Sequence, residues 1–308
     1  MSKDKWAEII KDFQNKELPL ILPRKMEVNI ESDIKRASPI IGPRRCGKTY
    51  EMFFLIKEIT KKFWKDRILY VNFERADLGV LNYNDLTIML EVFYEIFPKN
   101  KRERIWLFLD EIQNVKEWER FVRTCLDDGI KVFLSGSSSK LLSKEIATSM
   151  RGRNLTYELF PFSFEEFLKA KNFDRKKFYS SAEKAQLLNL LEDYFYYGGY
   201  PEAVLYKEER EKILRDIFDT AIYKDIVDRY KVRNTTAMKL LIKALLSSKE
   251  FSINKFYNYL KSQGIKIGKN VLYNYLEYLE DAFFVFSLRK FSLSYKKAEQ
   301  SLPKIYFI

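Results

Sequence analysis

Residues 42–49 place two glycines, a lysine and a threonine at a spacing suited to binding phosphate. They read GPRRCGKT and match the pattern G-x-x-x-x-G-K-[ST]. Gly42 and Gly47 let backbone N–H groups turn inward around phosphate oxygens, and Lys48 reaches toward the β- and γ-phosphates. Thr49 offers a hydroxyl to Mg²⁺ at the start of a helix, whose positive dipole end favours an anion. The residues expected to bind ATP are therefore Gly42, Pro43, Arg44, Arg45, Cys46, Gly47, Lys48 and Thr49, with Thr49 also holding Mg²⁺.

The residues on either side of this phosphate loop (residues 42–49) have the pattern that such a site requires. A short apolar run, 37–41, ends at the loop, and a helix-like run, 51–56, starts just after it. A strand, a loop and a helix in this order favour a nucleotide site. The alternative is a loop that keeps this shape without binding, and the presence of both Lys48 and Thr49 argues against it.

A second candidate element is the acidic pair that follows the apolar run 105–109. Asp110 is expected to hold Mg²⁺, directly or through water, and Glu111 to polarise the attacking water. Such a pair can also simply cap the turn after a strand. Its position downstream of a phosphate loop favours the catalytic interpretation.

Two further candidates come later in the chain. Ser135 closes the apolar run 131–134, where a hydroxyl can reach the γ-phosphate or its attacking water. Serines at this point can equally cap the next helix, which begins at 140. Arg153, within 151–153, can stabilise charge on the transferred phosphoryl group from the same chain or from a neighbouring copy, or be a surface arginine. The candidate catalytic residues are Glu111, Lys48, Ser135 and Arg153.

The composition excludes several other kinds of chemistry. The chain has no histidine, which removes Ser-His and Cys-His catalysis and the common zinc sites. Its two cysteines, Cys46 and Cys125, cannot form a disulfide framework. What remains is chemistry by carboxylates, lysines, arginines, hydroxyls and a bound metal.

Charge and hydropathy indicate the kind of partner. The 308 residues carry a formal net charge of +12, and residues 231–308 hold 14 Lys/Arg against 5 Asp/Glu. A basic end domain suggests a polyanion such as double-stranded DNA. The alternative is a lysine-rich solvated surface, with a protein as partner. No apolar run is long enough to cross a bilayer, so a soluble, cytoplasmic protein without a membrane partner is expected, and an oligomer is compatible with the sequence.

Strand-like and helix-like segments alternate through the first half of the chain, which predicts an α/β fold with a parallel sheet. The predicted domains are a P-loop ATPase core at 1–160, a small helical lid at 161–234 and a winged-helix-like domain at 235–308. An apolar arm, LPLILPRKM at 18–26, is expected to pack on the core near the nucleotide base. A lid of this type closes over the nucleotide and passes its state to other domains.

The last segment has the pattern of a winged helix. Three helical stretches precede strand-like residues at 283–288 and 304–308, and the third presents Leu272, Tyr275, Leu276 and Leu279 on its core face. The third helix of a winged helix can enter the DNA major groove, although such domains also dock on proteins. Glu277 on this helix argues mildly against tight DNA contact. The candidate nucleic-acid contacts are Lys266, Lys269, Asn270, Tyr273 and Asn274.

Together these motifs resemble archaeal and bacterial AAA-type ATPases with a C-terminal domain of unknown function. The resemblance covers nearly the whole chain and rests on GPRRCGKT, YVNFE, FLDEIQNVKEWERFVR, FLSGSSSKLLS, MRGR, LFPFSFEEFL, YYGGYPEAV and LYNYLEYLEDAFFVFSL. It implies ATP binding by residues 42–49, and metal and water handling by Asp110 and Glu111. It also implies a functional arginine at Arg153, matching the family's Gly-Arg pair, and a winged helix after the lid.

The sequence departs from this family at two places. Members typically continue past the strand matching KIYFI into a region likened to restriction-endonuclease folds, whereas this chain stops at Ile308. The last domain is therefore expected to be cut short and to lack any nuclease-like function. Members also often have threonine where this chain has Ser135, which keeps the hydroxyl.

Two functions remain open on the sequence, beside a third, a monomeric ATP-binding protein with no polymer partner. The first is an Mg²⁺-dependent ATPase that couples its nucleotide state to DNA through the winged helix. The second is a slow nucleotide-gated regulatory switch whose C-terminal domain binds a protein. They differ in ATP turnover and in whether DNA affinity depends on salt.

Overall fold

The computed structural model of the protein describes residues 1–136, 152–248 and 250–308. The chain divides into two compact units, Met1–Ile213 and Leu214–Ile308. Residues 161–213, which belong to the predicted lid, thus lie in the first unit and not in the second. The three-part division into core, lid and winged helix remains a prediction.

The first unit is built on a five-stranded parallel sheet, which confirms the predicted α/β core. Its strands, and the two strands of a small parallel pair, are β1 Ser38–Ile41, β2 Ile68–Asn72, β3 Leu81–Asn82, β4 Trp106–Asp110, β5 Val115–Lys116, β6 Lys131–Gly136 and β7 Tyr157–Glu158. The order in the main sheet is β2-β4-β6-β1-β7, and β3 pairs with β5. Every residue of β1 and β4 is buried, because helices cover both faces of a sheet of this kind.

Helices surround this sheet and continue after it. They are α1 Lys3–Asn15, α2 Lys48–Thr60, α3 Tyr83–Ile96, α4 Trp118–Asp127, α5 Phe164–Ala170, α6 Ser181–Tyr197, α7 Pro201–Leu205 and α8 Arg210–Thr220. Short 3₁₀ turns lie at Lys65–Arg67, Ala76–Leu78, Pro98–Arg102 and Ile112–Asn114. The Ser2 side chain caps α1, which packs against α3 and β2 through an apolar face that includes Trp6 and Phe13. No helix among the described residues is long and apolar enough to cross a bilayer.

The parallel register brings the carboxyl ends of the strands to one edge of the sheet. Asn72 on β2 lies opposite Asp110 on β4, and Ile41 on β1 lies opposite Gly136 on β6. The phosphate loop continues directly from β1 at this edge and ends at α2. Side chains that are far apart in the sequence therefore meet where β1, β2, β4 and β6 end.

The second unit holds a separate hydrophobic core. It begins within α8, continues through a π-helical segment at Ala221–Asp228, and contains α9 Thr235–Ser247, α10 Ile253–Ser262, α11 Lys269–Asp281, β8 Val285–Leu288, α12 Tyr295–Gln300 and β9 Lys304–Phe307. Strands β8 and β9 pair antiparallel. The predicted core face of the third helix is confirmed, since Leu272, Tyr275 and Leu279 are buried and Leu276 packs, partly buried, against the same core. The short helix α12, between the two strands, was not predicted.

Arg24, in the N-terminal arm, makes contacts with three other segments of the first unit. Arg24 donates from Nη1 to the Cys46 carbonyl at 3.0 Å and from Nη2 to the Phe160 carbonyl at 2.6 Å, and its Nε lies 2.9 Å from Glu166 Oε1. These contacts join the arm to the phosphate loop, to the residues after β7 and to α5. Glu51, in the first turn of α2, lies close enough to interact with the Arg24 charge, yet its side chain is 1% exposed and makes no hydrogen bond.

The buried carboxyl of Glu51 should make stability depend on pH. Burial raises the pKa of Glu51 from 4.5 to about 7, with the Arg24 charge opposing the shift and the Glu166 charge adding to it. The folded state then holds a proton that the unfolded state releases, so stability falls as pH rises through this window. The measured quantity is the difference in free energy of unfolding between the wild type and Glu51→Gln. This difference should fall by about 3 kcal/mol as the pH rises from 4.5 to about 7. Urea titrations at a series of pH values measure it.

A matched variant separates this effect from general charge removal. Glu58→Gln lies on the same helix, where Glu58 pairs with Lys61 at the surface, and it should show no comparable trend. A constant difference between the wild type and Glu51→Gln across this pH range would contradict the expectation.

Candidate functional site

The carboxylate of Asp110 is the centre of the site. Asp110 is the last residue of β4 and is fully buried. Its Oδ2 accepts hydrogen bonds from the Thr49 hydroxyl at 2.8 Å, from the Tyr70 hydroxyl at 3.0 Å and from Asn72 Nδ2 at 3.3 Å. Its Oδ1 accepts one from the Ser135 hydroxyl. Four donors from α2, β2 and β6 thus converge on one carboxylate, which compensates for removing it from water.

Two of these donors, Tyr70 and Asn72, were not predicted from the sequence. Both lie on β2, whose apolar and aromatic composition is typical of a buried strand. Both also belong to the motif YVNFE, to which the sequence assigned no role in the site, and Asn72 is a polar residue at the end of an apolar run. Burial raises the pKa of the Tyr70 hydroxyl above its usual range, and the charge of Asp110 raises it further, so Tyr70 stays protonated and donates.

The phosphate loop has the backbone that its glycines predict. Gly47 caps α2 with φ of 108°, in the left-handed region. A Cβ on Gly42 would lie 1.9 Å from the Leu159 carbonyl oxygen, so no larger residue fits there. Lys48 is 5% exposed, and its ammonium donates to the carbonyls of Gly42 at 3.1 Å and Pro43 at 2.9 Å. The lysine charge is therefore held inside the loop, at the start of α2.

The two arginines of the phosphate loop are paired with acidic residues on neighbouring segments. Arg44 lies 3.2 Å from Glu74, just after β2, and Arg45 lies 2.8 Å from Glu202 on α7. Together with the bond from Arg24 to the Cys46 carbonyl, these pairs anchor the loop on three sides. None of these partners was predicted from the sequence.

Cys46 is a packing residue of the loop. Its side chain is fully buried, and burial raises the pKa of its thiol. A protonated, enclosed thiol is a poor nucleophile. Cys125, on α4, is buried with a raised thiol pKa for the same reason.

Glu111 follows Asp110 at a turn. Its φ is 54°, in the left-handed region, and its backbone N–H donates to Ser135 Oγ at 3.0 Å. The side chain accepts a hydrogen bond from Gln113, a residue that the sequence did not single out beyond its place in the DEIQ motif. Burial raises the pKa of Glu111, while the charge of Lys48 opposes the shift. Its carboxylate therefore lies in the electrostatic field of the phosphate-loop lysine.

Ser135 is placed by β6 between the two acidic residues. It is fully buried, donates to Asp110 and accepts from the backbone of Glu111. Its hydroxyl thus links the Asp110 carboxylate to the backbone of Glu111. The neighbouring serines 137–139, the helix predicted from 140 and Arg151 lie outside the described residues.

Arg153 is not brought together with the other candidates in this chain. Its carbonyl accepts from the N–H of Ala37, the residue before β1, so it lies at the amino ends of the strands. Its guanidinium donates to Asp127, at the end of α4, at 2.5 Å. Both side chains are exposed. A role in a neighbouring copy remains a prediction.

The oxygen atoms at the strand ends suit a magnesium ion. Among residues 1–136, 152–248 and 250–308, no group of three or more His, Cys, Asp or Glu residues could hold a metal by itself. Mg²⁺ does not need one, because it keeps several waters and takes one or two protein oxygens plus phosphates. The Thr49 hydroxyl and the Asp110 carboxylate, 2.8 Å apart, supply such a pair.

The candidate nucleic-acid contacts lie on or just before α11. All five side chains are exposed, namely Lys266, Lys269, Asn270, Tyr273 and Asn274. The Lys269 ammonium lies 6.0 Å from the centre of the Tyr273 ring. The second unit therefore presents cations, amides and an aromatic ring on one exposed stretch.

Two uncharacterized proteins are similar to this chain over most of its length. An uncharacterized protein of Methanocaldococcus jannaschii is 42% identical over 292 residues, which are 94% of this chain and 63% of that protein. An uncharacterized protein of Haemophilus influenzae is 30% identical over 279 residues, 87% of this chain and 66% of that protein. The chain thus spans about two thirds of the length of these relatives.

Among solved structures, the Aeropyrum pernix ORC2 protein in its ADP form aligns with a TM-score of 0.44 at 14% identity, covering 88% of this chain and 83% of that one. The Aeropyrum pernix ORC1 protein in complex with DNA aligns with a TM-score of 0.37 at 11% identity, covering 99% and 87%. Similarities this distant carry no argument about function.

Family models divide the chain into two parts. Residues 35–168 match a model described as AAA domain, and residues 188–308 match one described as Domain of unknown function (DUF8612). The first match contains the phosphate loop, Asp110, Glu111, Ser135 and Arg153. The chain therefore carries an AAA domain followed by a C-terminal domain of unknown function, which confirms the resemblance of its motifs.

Proposed function

We propose that this chain is an Mg²⁺-dependent ATPase that binds ATP on the phosphate loop and hydrolyses it at the carboxyl edge of the sheet. The observation that carries the proposal is the hydrogen bond from Thr49 to Asp110, formed at the point where the phosphate loop meets the end of β4. This is the pair of oxygen ligands that a nucleotide-bound magnesium ion needs. The AAA domain match over residues 35–168 supports it.

The phosphate loop binds and orients the nucleotide. The backbone N–H groups at the start of α2 face the phosphates, and Lys48 exchanges the carbonyls of Gly42 and Pro43 for phosphate oxygens. Thr49 and Asp110 would hold Mg²⁺. When bound, this ion neutralises negative charge on the β- and γ-phosphates.

Glu111 orients and polarises the attacking water. Its backbone is fixed at a left-handed turn by the hydrogen bond from its N–H to Ser135. Gln113 Nε2 donates a hydrogen bond to its carboxylate. The water's proton passes to Glu111 as the water oxygen bonds to the γ-phosphorus, while the bond from that phosphorus to the β–γ bridging oxygen breaks and ADP leaves with this oxygen.

Two substitutions separate binding from hydrolysis. Lys48→Ala should abolish nucleotide binding, because it removes the cation that reaches the phosphates. Glu111→Gln should bind ATP but trap it, with hydrolysis lowered about 100-fold or more, because an amide cannot accept the proton. Binding is measured with a fluorescent ATP analogue, and hydrolysis by phosphate release in a single turnover.

Each variant has a matched control in the same chain. Lys57→Ala lies on α2, where the exposed ammonium of Lys57 donates to the Pro19 carbonyl. Glu117→Gln is an exposed carboxylate six residues beyond Glu111. Both should behave as the wild type, whereas equal hydrolysis by the wild type and Glu111→Gln would show that the base is misassigned.

We infer that the partner coupled to the ATPase is double-stranded DNA, bound by the second unit as a winged helix. Three helices and an antiparallel strand pair follow one another in this unit. Residues 231–308 carry 14 basic against 5 acidic residues, and the exposed part of α11 is rich in groups that contact phosphates and bases. A slower, nucleotide-gated switch that binds a protein is the second candidate. It is favoured by the exposed Glu277 on α11 and by the exposed rings of Tyr259 and Tyr273.

DNA coupling is tested by ATP turnover with and without double-stranded DNA, at low and moderate salt. We expect stimulation that fades as salt rises, because bound lysines release counterions from the phosphates. Lys266→Ala and Lys269→Ala should each reduce the log–log salt slope of DNA affinity by about 1. Lys101→Ala, an exposed lysine of the first unit, is the control. If DNA does not change ATP turnover and DNA affinity does not depend on salt, the partner is a protein and not DNA.

A further inference from the structure

We propose that Tyr70 is a positioning residue for Asp110, and that its hydroxyl sets how tightly the site binds the magnesium ion of MgATP. This inference rests on the proposed function and gives a role to a residue of the YVNFE motif, to which the sequence assigned none. Its starting point is the hydrogen bond of 3.0 Å from the Tyr70 hydroxyl to Asp110 Oδ2.

The sheet places this hydroxyl where it can act on the metal ligand. Tyr70 on β2 lies opposite Phe108 on β4, and Asp110 is two residues further along the same strand. Residues two apart in a strand project from the same face, so the long tyrosine side chain reaches Asp110 diagonally across the strand pair. A shorter side chain at position 70 would not reach it.

Helices on that face hold the ring of Tyr70 in place. Its centre lies 5.0 Å from the ring of Phe13 on α1 and 5.1 Å from the ring of Phe53 on α2. Tyr70 itself is only 9% exposed. The phenol is thus fixed between two helices before any ligand binds, which is what a residue that orients another needs.

The hydrogen bond acts on the same carboxylate oxygen that pairs with Thr49. Asp110 Oδ2 accepts from both hydroxyls, so Tyr70 fixes the plane of the carboxylate relative to the Thr49 side chain. Burial keeps the phenol protonated, and it therefore donates throughout the ordinary pH range. Partners that hold a metal ligand in this way typically change metal affinity about 10–100-fold when they are removed.

A purely structural role makes a different prediction. If the hydroxyl were bonded to Asp110 only to satisfy a buried polar group, its removal would alter stability and leave metal binding unchanged. Tyr70→Phe separates the two roles, because the ring and its contacts with Phe13 and Phe53 are kept. Asp110 also retains its other three donors, so the variant does not leave a bare buried carboxylate.

The experiment compares the wild type with Tyr70→Phe by titrating Mg²⁺ at a fixed concentration of a fluorescent ATP analogue. We expect the Mg²⁺ concentration for half-maximal binding to rise about 10-fold in the variant. The affinity for the analogue in EDTA should not change, since the Tyr70 hydroxyl donates to Asp110, which lies outside the phosphate loop. Binding of Mn²⁺ with ATP, followed by electron paramagnetic resonance, should weaken by a similar factor without any need for turnover.

Two further variants make the result specific. Tyr194→Phe removes another phenol, partly buried, which donates to the Phe162 carbonyl at 2.8 Å, and its Mg²⁺ requirement should match the wild type. Phe13→Leu loosens the packing of the Tyr70 ring but keeps the hydroxyl, and should raise the Mg²⁺ requirement by less than Tyr70→Phe does. It also replaces Tyr70→Phe as the test if that variant does not fold.

The outcomes distinguish this inference from the proposed function. A wild type whose nucleotide binding gains from Mg²⁺, together with a Tyr70→Phe variant that keeps the same Mg²⁺ requirement, overturns the positioning role alone. A wild type that binds no nucleotide, or binds it without regard to Mg²⁺, overturns the proposed function and the positioning role with it.

Discussion

A buried carboxylate that must be hydrogen-bonded determines how this site is built. Asp110 is removed from water at the end of a central strand, and an unpaired charge there would cost several kcal/mol. Donors reach it from α2, from β2 and from β6, so these elements must arrive together for the carboxylate to be tolerated. The parallel order β2-β4-β6-β1 brings them to one edge. Folding the sheet and assembling the site are therefore the same event.

The phosphate loop is held by a second set of charges around this centre. Lys48 is satisfied by carbonyls of its own loop, while Arg44 and Arg45 reach acidic residues after β2 and on α7. Arg24 ties the N-terminal arm to the same loop. Under the proposed function, an arriving triphosphate would compete for the cations of the loop and would thereby alter their pairing with Glu74 and Glu202. This provides a physical route by which nucleotide state can alter segments outside the sheet.

Much of the site follows from the sequence, because the carboxyl ends of parallel strands share an edge. That rule places the phosphate loop, Asp110 and Ser135 together before any coordinates are known. The rule does not identify Tyr70, whose side chain reaches across a strand pair to Asp110. It does not identify Arg24 either, because this residue contacts segments that are distant in the sequence. The sequence likewise did not predict that Arg153 lies at the amino ends of the strands. Helix α12 was missed because its lysine-rich sequence lacks an apolar period.

The most direct test of the proposed metal and nucleotide site is a crystal structure of the chain with a non-hydrolysable ATP analogue and Mn²⁺, in which the anomalous signal locates the metal. We expect the metal about 2.1 Å from Thr49 Oγ1, with Asp110 as a direct or water-bridged ligand and Lys48 turned from the loop carbonyls to the phosphates. A metal bound away from Thr49 and Asp110, or an analogue seated elsewhere while Lys48 keeps its bonds to Gly42 and Pro43, would contradict it.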